Sequence, residues 1–64
     1  MKYPEITVQL TGNYGNAFAI LGTVKKALHR ADVSKEEQDQ FITEATAGDY
    51  DHLLQTCMKW VNVQ

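Results

Sequence analysis

The sequence predicts a small α+β fold in which one N-terminal strand precedes three helices, with a short C-terminal strand left open. One early stretch alternates apolar and polar residues at the period of a strand. Three later stretches repeat apolar residues at the period of a helix. With 64 residues, 44% hydrophobic and 22% charged, the chain fits a single globular domain over residues 1–64. We expect a small core, in which a deep, water-excluded active site is hard to build.

The strand is predicted over residues 6–11, ITVQLT, where apolar and polar side chains alternate strictly. The apolar side chains are predicted to face the core: Ile6, Val8 and Leu10. The polar side chains are predicted to face outward: Thr7, Gln9 and Thr11. A lone strand leaves backbone hydrogen-bonding groups unpaired, so it needs a partner. Three partners remain open: the C-terminal WVNVQ, the same strand of a second copy, or a strand of another protein.

Residues 12–16, GNYGN, are predicted to form a turn, because glycine and asparagine tolerate positive φ. Asn16 is placed to cap the helix that follows. A strand, a glycine-bearing loop and a helix N-terminus are also the general geometry of a phosphate site. The glycine spacing matches neither common nucleotide-binding pattern, and the loop holds no lysine, so a structural turn is favoured.

The first helix, predicted over residues 16–31, has the widest apolar arc in the chain and should organise the core. Its apolar residues cover about half of the helical surface; they are Ala17, Phe18, Ile20, Leu21, Val24, Ala27, Leu28 and Ala31. Gly22 lies on the side away from this arc. Cations gather near the helix end, where they suit the negative end of the helix dipole; they are Lys25, Lys26, His29 and Arg30.

The second helix is predicted over residues 34–47, where Ser34 and Glu37 form a capping box. Its apolar stripe is thin, and Gln38 faces the core where an apolar residue is more usual. We therefore expect the first turn of this helix to be loosely held.

The third helix is predicted over residues 49–61, with Asp49 as its N-cap. Gly48 is predicted to end the second helix in a C-cap position. One broad apolar face should lie against the first helix.

Charge is unevenly distributed along the chain. Residues 32–51 hold seven acidic residues against one lysine, whereas residues 1–31 hold four basic residues against one glutamate, within a net charge of -2. The outer face of the second helix is predicted to be acidic, through Glu36, Asp39 and Glu44. Such a face is usually only solvated, but it can also bind a basic partner or mimic nucleic acid.

Few residues are suited to catalysis or metal binding. The single Cys57 excludes an internal disulfide and lies on an apolar helix face. His52 and Cys57 point about 140° apart on a helix, so they cannot form a nucleophile and base pair. Asp49, Asp51 and His52 come from one helix terminus and make a poor metal site. We expect no cofactor and no enzymatic activity.

The chain shows no stretch long enough to span a bilayer or to resemble a secretory signal. We therefore expect a cytoplasmic protein that does not interact with membranes.

The chain contains the stretches YPEITVQL, GNAFAILG and EATAGDYDHLLQT, and Trp60 follows the last of them. In these stretches the chain resembles a family of small uncharacterised bacterial and phage-associated proteins. The resemblance covers nearly the whole chain, and AGDYDHLLQT with the acidic helix before it is the most specific part. The family has no assigned activity, so the resemblance implies no role for any residue.

Two functional hypotheses follow. The first is a non-enzymatic protein–protein interaction module, such as a phage or mobile-element accessory protein that modulates a host protein. Its predicted surfaces are the strand edge and the acidic face: Thr7, Gln9, Thr11, Glu36, Asp39 and Glu44. The alternative is a small-ligand or nucleic-acid binder that uses the turn and the basic helix end: Asn13, Gly15, Asn16, Lys26, His29 and Arg30. Nucleic acid is the less favoured ligand, because few cations lie beside a strongly acidic segment. A homodimer closed through the strand edge is compatible with either hypothesis.

Overall fold

The computed structural model describes residues 1–10 and 15–64 and has the predicted α+β architecture. Its elements, in chain order, are β1 (Tyr3–Val8), α1 (Ala17–Arg30), α2 (Lys35–Ala45), α3 (Tyr50–Trp60) and β2 (Val61–Val63). Two residues of the predicted sites, Thr11 and Asn13, lie outside the described residues. Within the described part of the chain, no helix has both the length and the apolar character needed to cross a membrane.

The strands β1 and β2 form a two-stranded parallel sheet, so the C-terminal segment is one partner of the N-terminal strand. Parallel strands need a long crossover connection, which the three helices provide. The ladder continues beyond both strands: the Gln64 amide donates to the Val8 carbonyl (2.8 Å), and the Leu10 amide donates to the Gln64 carbonyl (3.0 Å). The chain ends are thereby held side by side.

The strand begins and ends earlier than the sequence predicts, because Tyr3 already pairs with Val61 and β1 ends at Val8. Between Tyr3 and Thr7 the register is irregular. Pro4 lies in this irregular part, where its missing amide hydrogen costs no regular ladder bond.

The core lies between the sheet and the three helices. Its fully buried large side chains include Leu10, which follows β1, then Ile20, Val24 and Leu28 from α1, and Phe41 from α2. The Trp60 ring of α3 packs edge-on against the Phe41 ring, with centroids 5.5 Å apart. The predicted alternation of β1 is confirmed, since Ile6 and Val8 are buried whereas Thr7 and Gln9 are exposed.

The predicted apolar arc of α1 is too wide at both ends. Phe18 is 86% exposed and Ala31 is also exposed, so the prediction that they face the core is wrong. Helical periodicity identifies apolar residues that are able to face a core, but the neighbouring elements decide how much of the arc is covered. The partners of α1 cover the stripe through Ile20, Val24 and Leu28.

The three predicted N-caps are confirmed. Asn16 Oδ1 accepts from the Ala19 amide (3.1 Å), Ser34 Oγ from the Glu37 amide (3.2 Å) and Asp49 Oδ1 from the His52 amide (2.9 Å). These side chains satisfy amide groups that the first helical turn leaves without partners.

Gly48 has a different role from the one predicted. The C-cap of α2 is Thr46, and Gly48 lies beside the His52 side chain. A Cβ atom at position 48 would lie 2.8 Å from His52 Cγ and 2.9 Å from His52 Cβ. The close approach of the imidazole, rather than a left-handed cap, therefore requires glycine here.

Candidate binding groove

The edge of β1 that faces away from β2 has no strand beside it among residues 1–10 and 15–64. The Val8 carbonyl and the Leu10 amide both bond to Gln64. Backbone groups of alternate residues in a strand point to opposite edges, so the amide and carbonyl groups of Thr7 and Gln9 point to the open edge. This edge presents the backbone groups to which an added strand would bond.

An open groove of about 570 Å³ lies between this edge and α1. One wall consists of residues 5–8 of the strand. The other wall is a stripe of residues on successive turns of α1, spaced by three and four positions as residues on one helix face must be. Its members are Thr23, Lys26, Ala27 and Arg30, followed by the C-cap residue Ala31.

The groove carries two cations on its helical wall. Lys26 and Arg30 are both exposed, and the ion pair found in the described part of the chain joins other residues, Lys2 and Glu37, at 2.7 Å. Glu5 is the acidic residue in the groove lining. The groove therefore has an excess positive charge in a protein whose net charge is -2.

The groove brings together members of both predicted sites. Thr7 comes from the predicted interaction surface, whereas Lys26 and Arg30 come from the predicted anion site. Gln9 is exposed further along the same strand segment, and His29 is exposed on α1, but neither lines the groove. Sequence patterns indicated both walls and missed that they face each other, because the packing of α1 beside β1 is a tertiary contact.

The acidic residues of the predicted interaction surface lie elsewhere. Glu36, Asp39 and Glu44 are exposed on α2. Residues five apart on a helix point about 140° apart, so Asp39 and Glu44 do not share one face. Glu44 instead lines a second groove, of about 350 Å³, whose lining includes the cations Lys2 and Lys59.

The two halves of the predicted anion site lie at opposite ends of α1. Lys26 is ten positions after Asn16, which corresponds to about 15 Å along a helix. At the N-terminal end, the Gly15 amide already donates to Tyr50 Oη (2.6 Å), and the Asn16 side chain caps the helix. Gly15 has a positive φ of 94°, as the predicted turn requires.

Two titratable groups of α3, Cys57 and His52, have structural roles. Burial raises the pKa of the Cys57 thiol to about 11, so little of it is thiolate at neutral pH. His52 Nε2 lies 2.8 Å from the Glu44 carbonyl oxygen and joins the start of α3 to the end of α2. Among the described residues, no group of three or more His, Cys, Asp or Glu side chains is arranged to hold a metal ion.

Comparison of the chain with protein-family models, with curated proteins and with solved structures finds no match.

Proposed function

We propose that this chain is a non-enzymatic protein-binding module that takes an extended segment of a partner protein as an additional strand along the open edge of β1. The observation that carries the proposal is that, within residues 1–10 and 15–64, the open edge of β1 at Thr7 has no neighbouring strand and lies beside an accessible groove. Strand addition uses backbone hydrogen bonds for affinity and nearby side chains for specificity. An accessory protein of a phage or mobile element, acting on a host protein in the cytoplasm, is the setting we propose for this activity.

The groove also has the length that strand addition needs. Four consecutive strand residues, 5–8, line it, and they extend about 10 Å. The helical stripe from Thr23 to Arg30 extends about 10 Å as well. A short extended peptide would therefore contact β1 on one side and α1 along the same length.

The anion-binding alternative has less support at the N-terminus of α1. Two amides at that end, those of Gly15 and Ala19, already bond to Tyr50 Oη and Asn16 Oδ1, which leaves fewer donors for an anion. Two cations of the basic helix end, Lys26 and Arg30, line the groove between β1 and α1, called the β1 groove below, where a peptide is able to use them.

Thr7→Pro is the sharpest variant for testing strand addition. Proline would remove an amide that points to the open edge and place its ring in the path of an added strand, while the bonds of Val8 and Leu10 to Gln64 remain. Thr7→Val is the matched control, because it keeps the amide and also loses the hydrogen bond that Thr7 Oγ1 accepts from Asn62 Nδ2 (3.3 Å).

The measurement is affinity capture from nuclease-treated bacterial lysate, followed by hydrogen exchange of the captured complex. We expect wild type and Thr7→Val to retain the same protein and to gain protection at Thr7 and Gln9, and Thr7→Pro to lose both. Equal capture by a folded Thr7→Pro variant would show that the partner binds elsewhere. Recovery of nucleic acid alone from untreated lysate would contradict a protein-binding function.

The acidic face is tested separately with Glu36→Gln, Asp39→Gln and Glu44→Gln combined. These exposed residues do not line the β1 groove, so we expect capture through the open edge to be unchanged. Loss of the captured protein in this variant, with retention by Thr7→Pro, would move the binding surface to α2 and favour charge mimicry.

A further inference from the structure

We propose that the segment bound at the β1 edge is an acidic extended peptide with carboxylates at alternate positions, and that Lys26 and Arg30 bind these carboxylates. This inference rests on the proposed strand addition and specifies its ligand. The partner chemistry follows from the charge and the spacing of the groove residues.

Charge complementarity indicates that the ligand is negatively charged. Lys26 and Arg30 lie one helical turn apart on the α1 wall and have no acidic partner within salt-bridge distance among residues 1–10 and 15–64. Glu5, on the strand wall, would repel a carboxylate placed next to it, so the acidic side chains of the ligand should lean toward α1.

The spacing of the two cations gives the pattern of the ligand. Residues i and i+4 of a helix are separated by about 6 Å along its axis. Side chains on one face of a strand recur every two residues, which is about 6.6 Å. An extended peptide with Asp or Glu at positions i and i+2 therefore places one carboxylate near each cation, whereas adjacent acidic residues point to opposite faces.

A peptide accounts for more of this groove than a nucleic acid does. The groove combines two cations with backbone groups of a strand edge, which pair with another extended backbone. Two cations beside a glutamate neutralise few phosphates, and affinity for nucleic acid depends mainly on that number. A second copy of this chain would place its own β1 against the edge. That strand contains one acidic residue, Glu5, and so lacks carboxylates at alternate positions.

The test uses three blocked heptapeptides built on alternating valine and threonine. The first carries Glu at positions 3 and 5, the second carries Gln at the same positions, and the third carries Glu at positions 3 and 4. Each is titrated into the isotope-labelled protein while amide chemical shifts are followed. We expect the first peptide to shift amides of residues 5–9 and 23–31 and to bind about five- to tenfold more tightly than the second and about two- to fivefold more tightly than the third, as two exposed charge pairs and one allow.

The protein variant for this test is Lys26→Gln combined with Arg30→Gln. It should remove the preference for the first peptide and leave binding of the Gln peptide unchanged. Lys25→Gln is the control, because Lys25 is an exposed neighbouring cation that does not line the groove. It should reduce the preference by less than about twofold, through its weak long-range field.

Four results would overturn the inference, and the first two separate it from the proposed function. If all three peptides bind equally at residues 5–9 and Thr7→Pro abolishes binding, the acidic specificity is wrong while strand addition stands. If none of them shifts residues 5–9, both proposals fail. Tighter binding of a single-stranded oligonucleotide at Lys26 and Arg30, or a dimer that Thr7→Pro dissociates, would assign the groove to a different occupant.

Discussion

Gln38 is a polar residue at a position of α2 where the sequence pattern favours an apolar one. The side chain is only 6% exposed, as its position on the helix predicts, and it adds a hydrogen bond to the first turn of α2. Its Nε2 atom donates to the Val33 carbonyl at 2.8 Å, across the segment that joins α1 to α2. A buried amide that is hydrogen-bonded in this way costs little, and it fixes the position of the linker.

We expect Gln38→Ala to lower the free energy of unfolding by about 1–3 kcal/mol, because it removes the partner of the Val33 carbonyl and leaves a small cavity. Gln40→Ala is the control, since Gln40 is exposed on the same helix. Urea denaturation followed by circular dichroism measures both variants. Equal midpoints for Gln38→Ala and Gln40→Ala would show that the Gln38 hydrogen bond contributes nothing to stability.

At the scale of the elements, local patterns predicted more than tertiary arrangement. The helices α1 and α3 and their N-caps lie within a residue or two of the predicted bounds, because capping side chains and helical periodicity are local in the chain. The parallel direction of β2 was not predictable, because it depends on the path of the three helices between the strands. The β1 groove was missed for the same reason.

Replacement by alanine is expected to change the free energy of unfolding in opposite directions at Gly48 and at Gly22. Gly48→Ala should lower the free energy of unfolding by about 1–3 kcal/mol, because the new methyl group would overlap the His52 side chain. Gly22→Ala should raise it by about 0.5–1 kcal/mol, because Gly22 lies inside α1 and an added Cβ atom would meet nothing within 4 Å among the described residues.

Thermal unfolding of the two alanine variants beside wild type checks this pair. The expected order of melting temperature is Gly22→Ala, then wild type, then Gly48→Ala. The reverse order would mean that the contact between α2 and α3 adjusts freely at His52, and that an unseen constraint acts at Gly22.

At the scale of the whole molecule, the two chain ends stabilise each other. The Lys2 amide donates to the Lys59 carbonyl (2.8 Å), and Lys2 Nζ lies 4.3 Å from the centroid of the Trp60 ring while pairing with Glu37. The basic N-terminal region and the acidic α2 therefore meet at the end of α3. One ion pair, between Lys2 and Glu37, joins the basic first part of the sequence to the acidic second part.

Removal of residues 61–64 should prevent stable folding, although it takes away only the shortest strand. The deletion would remove Val61, which is completely buried, together with the backbone groups that pair with β1. The free energy of unfolding for a chain of this size is on the order of 3–10 kcal/mol. The lost burial and the newly unpaired strand would remove a large part of it.

The control for this deletion is Asn62→Ala combined with Gln64→Ala, which keeps Val61 and every backbone bond of β2. We expect dispersed amide resonances and a cooperative melt for the control, and collapsed dispersion for the truncated chain. A cooperative melt of the truncated chain would show that the three helices form a core without the sheet. If the helices fold without the sheet, the open edge of β1 has no fixed position beside Lys26 and Arg30. A cooperative melt of the truncated chain would therefore also count against the proposed binding groove.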